Sequence, residues 1–302
     1  MKIVMSFLLF AVALMANSDI LLFKTADSGV TPATIEKTFE EAGYSIQQNR
    51  DMNGPFMKQF RQSDFEVYNL MTVYYPKIAM ELVVKEPRSG IFAPFSIVIY
   101  KKKGDNELYA GVLSAKAKAR ILGLRLDHKL LSELEKLNVT TLKKALKSAQ
   151  KVELGYKPKP VKEKLLTHYS FEVSDDEALD VKDEVEMMIE DGLKPIGFVM
   201  ANFNDFAYDL KEAGINDFIF YDTYSLCKLK VIYTVSKIRP EAGVFAPCTL
   251  AIYQKRGTNT MHIVFPNIYN WIATLAIDDE KAIAELKKAQ KDMVEVIENA
   301  LP

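Results

Sequence analysis

Gly90-Ile-Phe-Ala-Pro-Phe-Ser-Ile-Val-Ile-Tyr-Lys-Lys-Lys-Gly104 and Gly243-Val-Phe-Ala-Pro-Cys-Thr-Leu-Ala-Ile-Tyr-Gln-Lys-Arg-Gly257 are two versions of one segment, 153 residues apart with no gap. Identities fall at Gly90/Gly243, Phe92/Phe245, Ala93/Ala246, Pro94/Pro247, Ile99/Ile252, Tyr100/Tyr253, Lys102/Lys255 and Gly104/Gly257. The same offset pairs Asp64-Phe65 with Asp217-Phe218, Tyr68 with Tyr221, Pro87 with Pro240 and Asn106 with Asn259. Stacked solenoid units repeat every 20–50 residues or so, so a period of about 150 residues marks a duplicated domain. The chain length of 302 residues also suits two domains.

Working outward from this segment, each copy yields a similar order of elements. Phe95 to Tyr100 and Cys248 to Tyr253 read as short apolar strands, each entered through a proline. The Lys-Gly-Asp-Asn type sequences at 102–106 and 255–259 read as hairpin turns. Leu108–Leu113 and Met261–Phe265 return from them as strands. Upstream, Phe65–Tyr75 and Phe218–Tyr233 are rich in aromatic and β-branched residues and read as strand, while Ile78–Val84 suits helix and strand equally. Each copy opens on a strand, Ile20–Thr25 or Thr167–Val173, followed by a helix. Thr31 before Pro32 is a good N-cap, and Ser174-Asp175-Asp176-Glu177 places acidic side chains in a first turn. Each ends in an amphipathic helix: Leu130, Leu131, Leu134, Leu137, Leu142 and Leu146 mark one face, with a break or kink suggested at Val139-Thr140-Thr141, and Ile283, Leu286, Ala289, Met293 and Ile297 mark the other. The expected fold class is α+β: two tandem two-layer domains, each a small, mainly antiparallel sheet packed on helices. The boundaries read as a leader over 1–18, a first repeat over 19–151, a linker over 152–166 and a second repeat over 167–302.

Lys2 followed by the apolar run Ile3–Met15 and the small residues at 16–18 has the form of a cleavable export signal, with the cut after Ser18. The run is shorter than the roughly 20 residues of a spanning helix, and no later segment is apolar enough to span, so no stable membrane span is expected after cleavage. The resulting expectation is a periplasmic or secreted protein. A formal net charge of -1 suggests neither nucleic acid nor an anionic membrane as partner. The lysines among prolines at 157–164 read as a solvated, semi-stiff linker.

Catalytic motifs are lacking. The three histidines, His128, His168 and His262, stand at no metal-ligand spacing, and there is no nucleophile elbow, zinc-protease helix or phosphate loop. Only 13 glycines are available for phosphate cradles of any kind. Acidic pairs such as Asp175-Asp176 and Asp278-Asp279 suit helix starts. The shared Gly-x-Phe-Ala-Pro turn reads either as scaffold or as a rim presenting Phe92 and Phe245, with Pro94, Pro247, Tyr100 and Tyr253 beside them, to a small apolar ligand or to the other copy. The tyrosines at 68, 74 and 75 and at 221, 224 and 233 read as strand core or as pocket lining. Cys227 and Cys248, the only cysteines, both lie in copy two together with Trp271, the only tryptophan.

The order helix, Tyr74-Tyr75-Pro76, proline-led strand and Lys/Gly turn resembles the family known as domain of unknown function 302. Pro247-Cys248 matches a Pro-Cys element of that family, and Pro94-Phe95 keeps only the proline. Tyr74-Tyr75-Pro76 and Cys227-Lys228-Leu229 each keep half of its Cys-x-Pro element. The resemblance implies a two-layer α+β domain that commonly pairs with a second copy, and no established reaction or cofactor. The leading expectation is therefore an exported, non-catalytic binding or interaction module whose copies dock on each other as an intramolecular pseudo-dimer. The alternative is a redox or metal/haem-linked protein centred on Cys227 and Cys248.

Overall fold

The computed structural model describes residues 19–302, so the leader expected over residues 1–18 lies outside the described residues. Copy one runs β1 (Ile20–Thr25), α1 (Pro32–Glu41), β2 (Ser45–Asp51), α2 (Asn53–Phe60), β3 (Phe65–Tyr74), α3 (Pro76–Lys85), a first 3-10 turn (Pro87–Phe92), β4 (Phe95–Lys102), β5 (Leu108–Leu113), α4 (Ala115–Leu122) and α5 (Lys129–Ala145). A short β6 (Gln150–Val152) pairs with β1. Copy two repeats the plan with β7 (Leu166–Glu172), α6 (Ala178–Leu193), β8 (Phe198–Asp205), α7 (Phe206–Glu212), β9 (Phe218–Lys228), α8 (Leu229–Ser236), a second 3-10 turn (Pro240–Phe245), β10 (Cys248–Lys255), β11 (Thr260–Pro266), α9 (Tyr269–Thr274) and α10 (Glu280–Ala300).

The two sheets are ordered β2-β3-β4-β5-β1-β6 and β8-β9-β10-β11-β7, so apart from β6 they share one topology. All paired strands are antiparallel. The α+β, two-layer reading of a duplicated domain therefore holds. Local chemistry sets the element ends. Thr31 caps α1 by accepting from the Thr34 N–H, and Thr34 returns a bond to the cap, with Pro32 at the first turn. The hairpins β4–β5 and β10–β11 turn through Gly104 (φ 80°) and Gly257 (φ 72°), a left-handed conformation that glycine adopts without a Cβ penalty.

Three segments differ from the sequence reading. Leu229–Tyr233 is not strand: β9 ends at Lys228 and α8 follows, with Val231, Ile232 and Val235 buried at helical spacing. In copy one the same junction is marked by Pro76 at the start of α3, whereas copy two has Leu229 there and no proline to betray the boundary. The undecided stretch 78–84 belongs to α3. No break occurs at 139–141, because α5 is continuous and buries Asn138, which accepts a hydrogen bond from Tyr44 Oη at 2.7 Å, and Thr141. The connection between the copies is also tied down: the Lys159 N–H donates to the Ala273 carbonyl at 2.8 Å, and the Arg239 guanidinium lies 4.5 Å from the ring centre of Tyr156.

One apolar core passes from copy to copy, joining Leu70, Val98 and Ile121 to Val244, Phe245 and Trp271. A second core, with Val185, Phe220, Leu250, Met293 and Ile297, lies wholly within copy two. The shared core sits between the sheets and positions the site described next.

Candidate functional site

The copies dock reciprocally through the repeated turn. The second 3-10 turn lies on β4 and the first on β10. Tyr68 Oη donates to the Pro240 carbonyl at 2.9 Å, and its repeat mate Tyr221 donates to the Pro87 carbonyl. Thr249 Oγ1 donates to the Pro94 carbonyl at 3.0 Å, and its mate Ser96 donates to the Pro247 carbonyl at 3.4 Å. The glycines are required by close approach. A Cβ on Gly243 would lie 2.5 Å from Val98 Cγ2 and 2.8 Å from Leu70 Cδ2, and one on Gly90 would lie 2.6 Å from Tyr221 Cε1 and collide with its hydroxyl. The Gly-x-Phe-Ala-Pro segment is thus the seam of an internal pseudo-two-fold arrangement.

Of the residues singled out by sequence, Phe92, Pro94, Phe245 and Pro247 come together around a small cavity of about 30 Å³ in this seam. Tyr100 and Tyr253 do not line it. Tyr100 stacks on Tyr109 at 4.9 Å and Tyr253 stacks on Tyr221 at 5.0 Å. Burial pushes both phenols up, Tyr253 to about 12, so they remain protonated and act as ring contacts within their own copies.

A larger cleft of about 80 Å³ opens between the copies beside Cys227. Arg50, Met52 and Leu70 of copy one face Val199, Ala201, Cys227, Leu229 and Pro247 of copy two across it. The edge strands β2 and β8 approach each other there, with Asn202 Nδ2 donating to Gln47 Oε1 at 3.0 Å. The asymmetry has a direct cause. Cys227 occupies the repeat position of Tyr74. Tyr74 fills its own side of the seam, ring to ring with Phe206 at 5.7 Å and with its hydroxyl donating to Asp209 Oδ2 at 2.6 Å. A thiol in the same place leaves room. Cys227 also borders a second apolar pocket of about 40 Å³ inside copy two, with Cys248, Trp271, Val231 and Met293. Here again a small residue, Cys248, stands where copy one has Phe95. The most capacious depression, about 630 Å³ between α3 and residues 213–217, is an open groove in which no lining residue is buried.

Cys227 and Cys248 are unbridged. Cys248 pairs in register with Leu226, so Cys227 is one residue out of step on the neighbouring strand. Strand spacing and rise place the two Cα atoms about 6 Å apart, but residues one step out of register point to opposite faces of the sheet, which disfavours a bridge between them. The thiols themselves are unreactive in character. Burial pushes Cys227 up to about 11 despite Arg50, and Cys248 up to about 12 with Cys227 adding to the shift. Both cysteines are half-buried, and apolar surroundings of this kind keep a thiol protonated. Among the described residues no group of three or more His, Cys, Asp and Glu side chains is arranged to hold a metal ion.

Two polar clusters escaped the sequence reading. His168 Nε2 and His262 Nδ1 are 3.0 Å apart across β7 and β11, and His262 stacks on Tyr253 at 4.8 Å. Desolvation, with His168 beside it, lowers His262 to about 4. Lys182 of α6 bonds the buried Asp222 of β9 at 3.0 Å, with Glu186 at 3.6 Å. Asp222 holds the repeat position of Asn69, and Lys118 that of Trp271. Reading the offset position by position for changes of chemistry, instead of for identities, is the signal that points to both Asp222 and Lys118.

The family model described as "Domain of unknown function DUF302" matches residues 25–148 and again residues 177–300. A structure described as "Crystal structure of uncharacterized conserved protein DUF302 from Bacillus stearothermophilus" aligns at 20% identity and a TM-score of 0.35, covering 44% of this chain and 98% of its own. No curated protein matches.

Proposed function

We propose that this protein, which belongs to the DUF302 family and carries its domain twice, is an exported, non-catalytic binding module that takes a small apolar ligand in the cleft beside Cys227. The observation that carries this reading is the loss of Tyr74's bulk at Cys227, which leaves one of two related seams open. The cleft has apolar walls and a polar mouth of Gln48 and Arg50, the usual make-up of a small-molecule site. Its size suits a short alkyl or aromatic group. With a ceiling of about 1.5 kcal/mol per heavy atom, a ligand of about five atoms binds no better than micromolar and ordinarily nearer millimolar.

Trp271 reports on the adjoining pocket, and it is the only tryptophan. Titration with toluene or butyrate should shift its emission saturably in the wild type and leave it unchanged in Cys227→Tyr. A linear, unsaturable response in both proteins defeats the reading. Export is tested separately by N-terminal sequencing of the protein from fractionated cells, with Asp19 expected as the first residue of the exported form. The redox alternative rests on the strand-to-strand adjacency of Cys227 and Cys248 alone, and the protonated state of both thiols weighs against it.

A further inference from the structure

Lys118 is the least expected buried group in the molecule. It lies in α4 with 1% of its surface exposed, while the long aliphatic stem of a lysine ordinarily lets its ammonium reach water. Its Nζ is 4.1 Å from the ring centre of Phe95 and 5.9 Å from that of Phe92. Among the described residues its Nζ has no hydrogen bond and no ion pair. The carboxylate that favours its charge from a distance is Glu135, itself occupied in accepting from the Ala115 N–H at 2.5 Å. Desolvation dominates and lowers Lys118 to about 7.

Lys118 lines the 30 Å³ cavity in the seam, together with Phe92, Phe95, Phe245 and the hydroxyl-bearing Ser96 and Thr249, and its Nζ lies against two of those rings. Trp271, its repeat mate, stacks on Phe245 at 5.4 Å and fills its own position with apolar surface. An apolar side chain at 118 would likewise pack there without the cost of burying an unpaired cation. A desolvated lysine facing a cavity is instead an amine equipped for addition to carbonyl carbon.

We propose that Lys118 captures a small aldehyde, of two or three heavy atoms, as an imine in the cavity between the copies. The neutral amine adds its lone pair to the carbonyl carbon, and the C=O π pair moves to oxygen. Transfer of an amine proton to that oxygen gives a carbinolamine. Its hydroxyl then leaves as water, taking up the second amine proton, as the C=N bond forms, so one aldehyde is consumed and one water released with no oxidant or reductant. Ser96 and Thr249 spend their protons on the Pro247 and Pro94 carbonyls, which leaves their oxygens free to accept from the carbinolamine hydroxyl. Size favours a small substrate: a single water needs about 10–15 Å³ of such space, so the cavity suits acetaldehyde better than longer chains. This site stands apart from the Cys227 cleft, although Pro247 borders both.

The test uses the full exported chain at pH 7 with equimolar acetaldehyde and cyanoborohydride, which fixes any imine as an ethyl-amine, followed by peptide mass mapping. Ordinary lysines hold about one neutral amine in 2,500 at this pH, so a group titrating near 7 has about a thousandfold advantage in neutral fraction. Ethylation concentrated at Lys118 ahead of every other lysine is the expected result, with butyraldehyde giving less there. Label spread over surface lysines while Lys118 stays unmodified, at pH 7 and again at pH 9, overturns the proposal. Lys118→Met, close in volume and apolar, should lose the selective adduct; because the wild-type map decides alone, a folding failure of that variant leaves the test intact.

Discussion

Tyr74 and Cys227 hold the same place in the two copies, and the ring of the first fills the space that the thiol of the second leaves open. The two-fold plan of the molecule is therefore broken at a side chain and not in the backbone. Exchanging the pair should move the cleft. Tyr74→Cys removes a ring packed on Phe206 and a hydrogen bond to Asp209, and is expected to cost about 3–5 kcal/mol by urea unfolding. It should also open a second cleft, detected as a doubled stoichiometry for the probe that binds beside Cys227.

The seam glycines should tolerate no Cβ. Gly243→Ala drives a methyl into Val98 and Leu70, and Gly90→Ala drives one into Tyr221, so each is expected to lose about 1–3 kcal/mol of stability. The second case carries its own control. The Tyr221 hydroxyl is the nearest of the side-chain atoms in the way, and it also donates to the Pro87 carbonyl. Tyr221→Phe alone should destabilise by about 1 kcal/mol or more, yet in combination with Gly90→Ala it should relieve part of the clash. A double-mutant cycle showing simple additivity would contradict this geometry.

The duplication was legible because identity at one offset is a signal that needs no propensity argument, and the strands Phe95–Tyr100 and Cys248–Tyr253 followed from their apolar runs. What escaped had weak local signals. The edge strand β2, Ser45–Asp51, is polar at nearly every position and half-buried or exposed throughout, so it shows no alternation to read. Its counterpart in copy two, β8, is similarly mixed. The α2 segment carries Gly54 and Pro55 in its first turn, a poor signal for a helix, and the sequence reading assigns it no element. As to the site, Phe92, Pro94, Phe245 and Pro247 were visible as repeated residues and do meet in the seam. Arg50, Leu70 and Lys118 were not, since only the docking of one copy on the other brings them to a cavity. The histidines at 168 and 262 are 94 residues apart and meet only through the β7–β11 pairing.

The thiols offer a sharp chemical check. With Cys227 near 11 and Cys248 near 12, the native protein at pH 7 holds about one thiolate in ten thousand or fewer, against a few per cent for a free cysteine. Ellman's reagent should react slowly with the folded protein and promptly, at two thiols per chain, after unfolding in guanidinium. Rapid native reaction, or conversion to an intramolecular disulfide under mild oxidant, would favour the redox reading of this pair over the binding one.

The pH dependence of stability should separate two groups that act in opposite directions. Burial, with Glu186 and Asp205 nearby, pushes Asp222 up to about 7 although Lys182 pulls the other way. The ordinary value is 3.8, so between about 4 and about 7 the folded state binds more protons than the unfolded chain, and this residue makes stability fall as pH rises through that window. His262 is lowered from 6.5 to about 4, so there the unfolded chain binds more protons, and its contribution is present above about 6.5 and lost as pH falls through about 4. Asp222→Asn, which installs the residue that copy one carries as Asn69, should therefore tilt the stability curve upward with pH relative to wild type over pH 4–7. Lys182 keeps Glu186 at 3.6 Å and Asp183 at 3.4 Å as counter-charges, so the variant should still fold. His262→Tyr, the residue of copy one at Tyr109, should tilt the curve the opposite way between pH 4 and 6.5. Urea midpoints measured across pH 4–8 give both slopes, and tilts of the same sign in the two variants would show that one of the two environments is wrongly assigned.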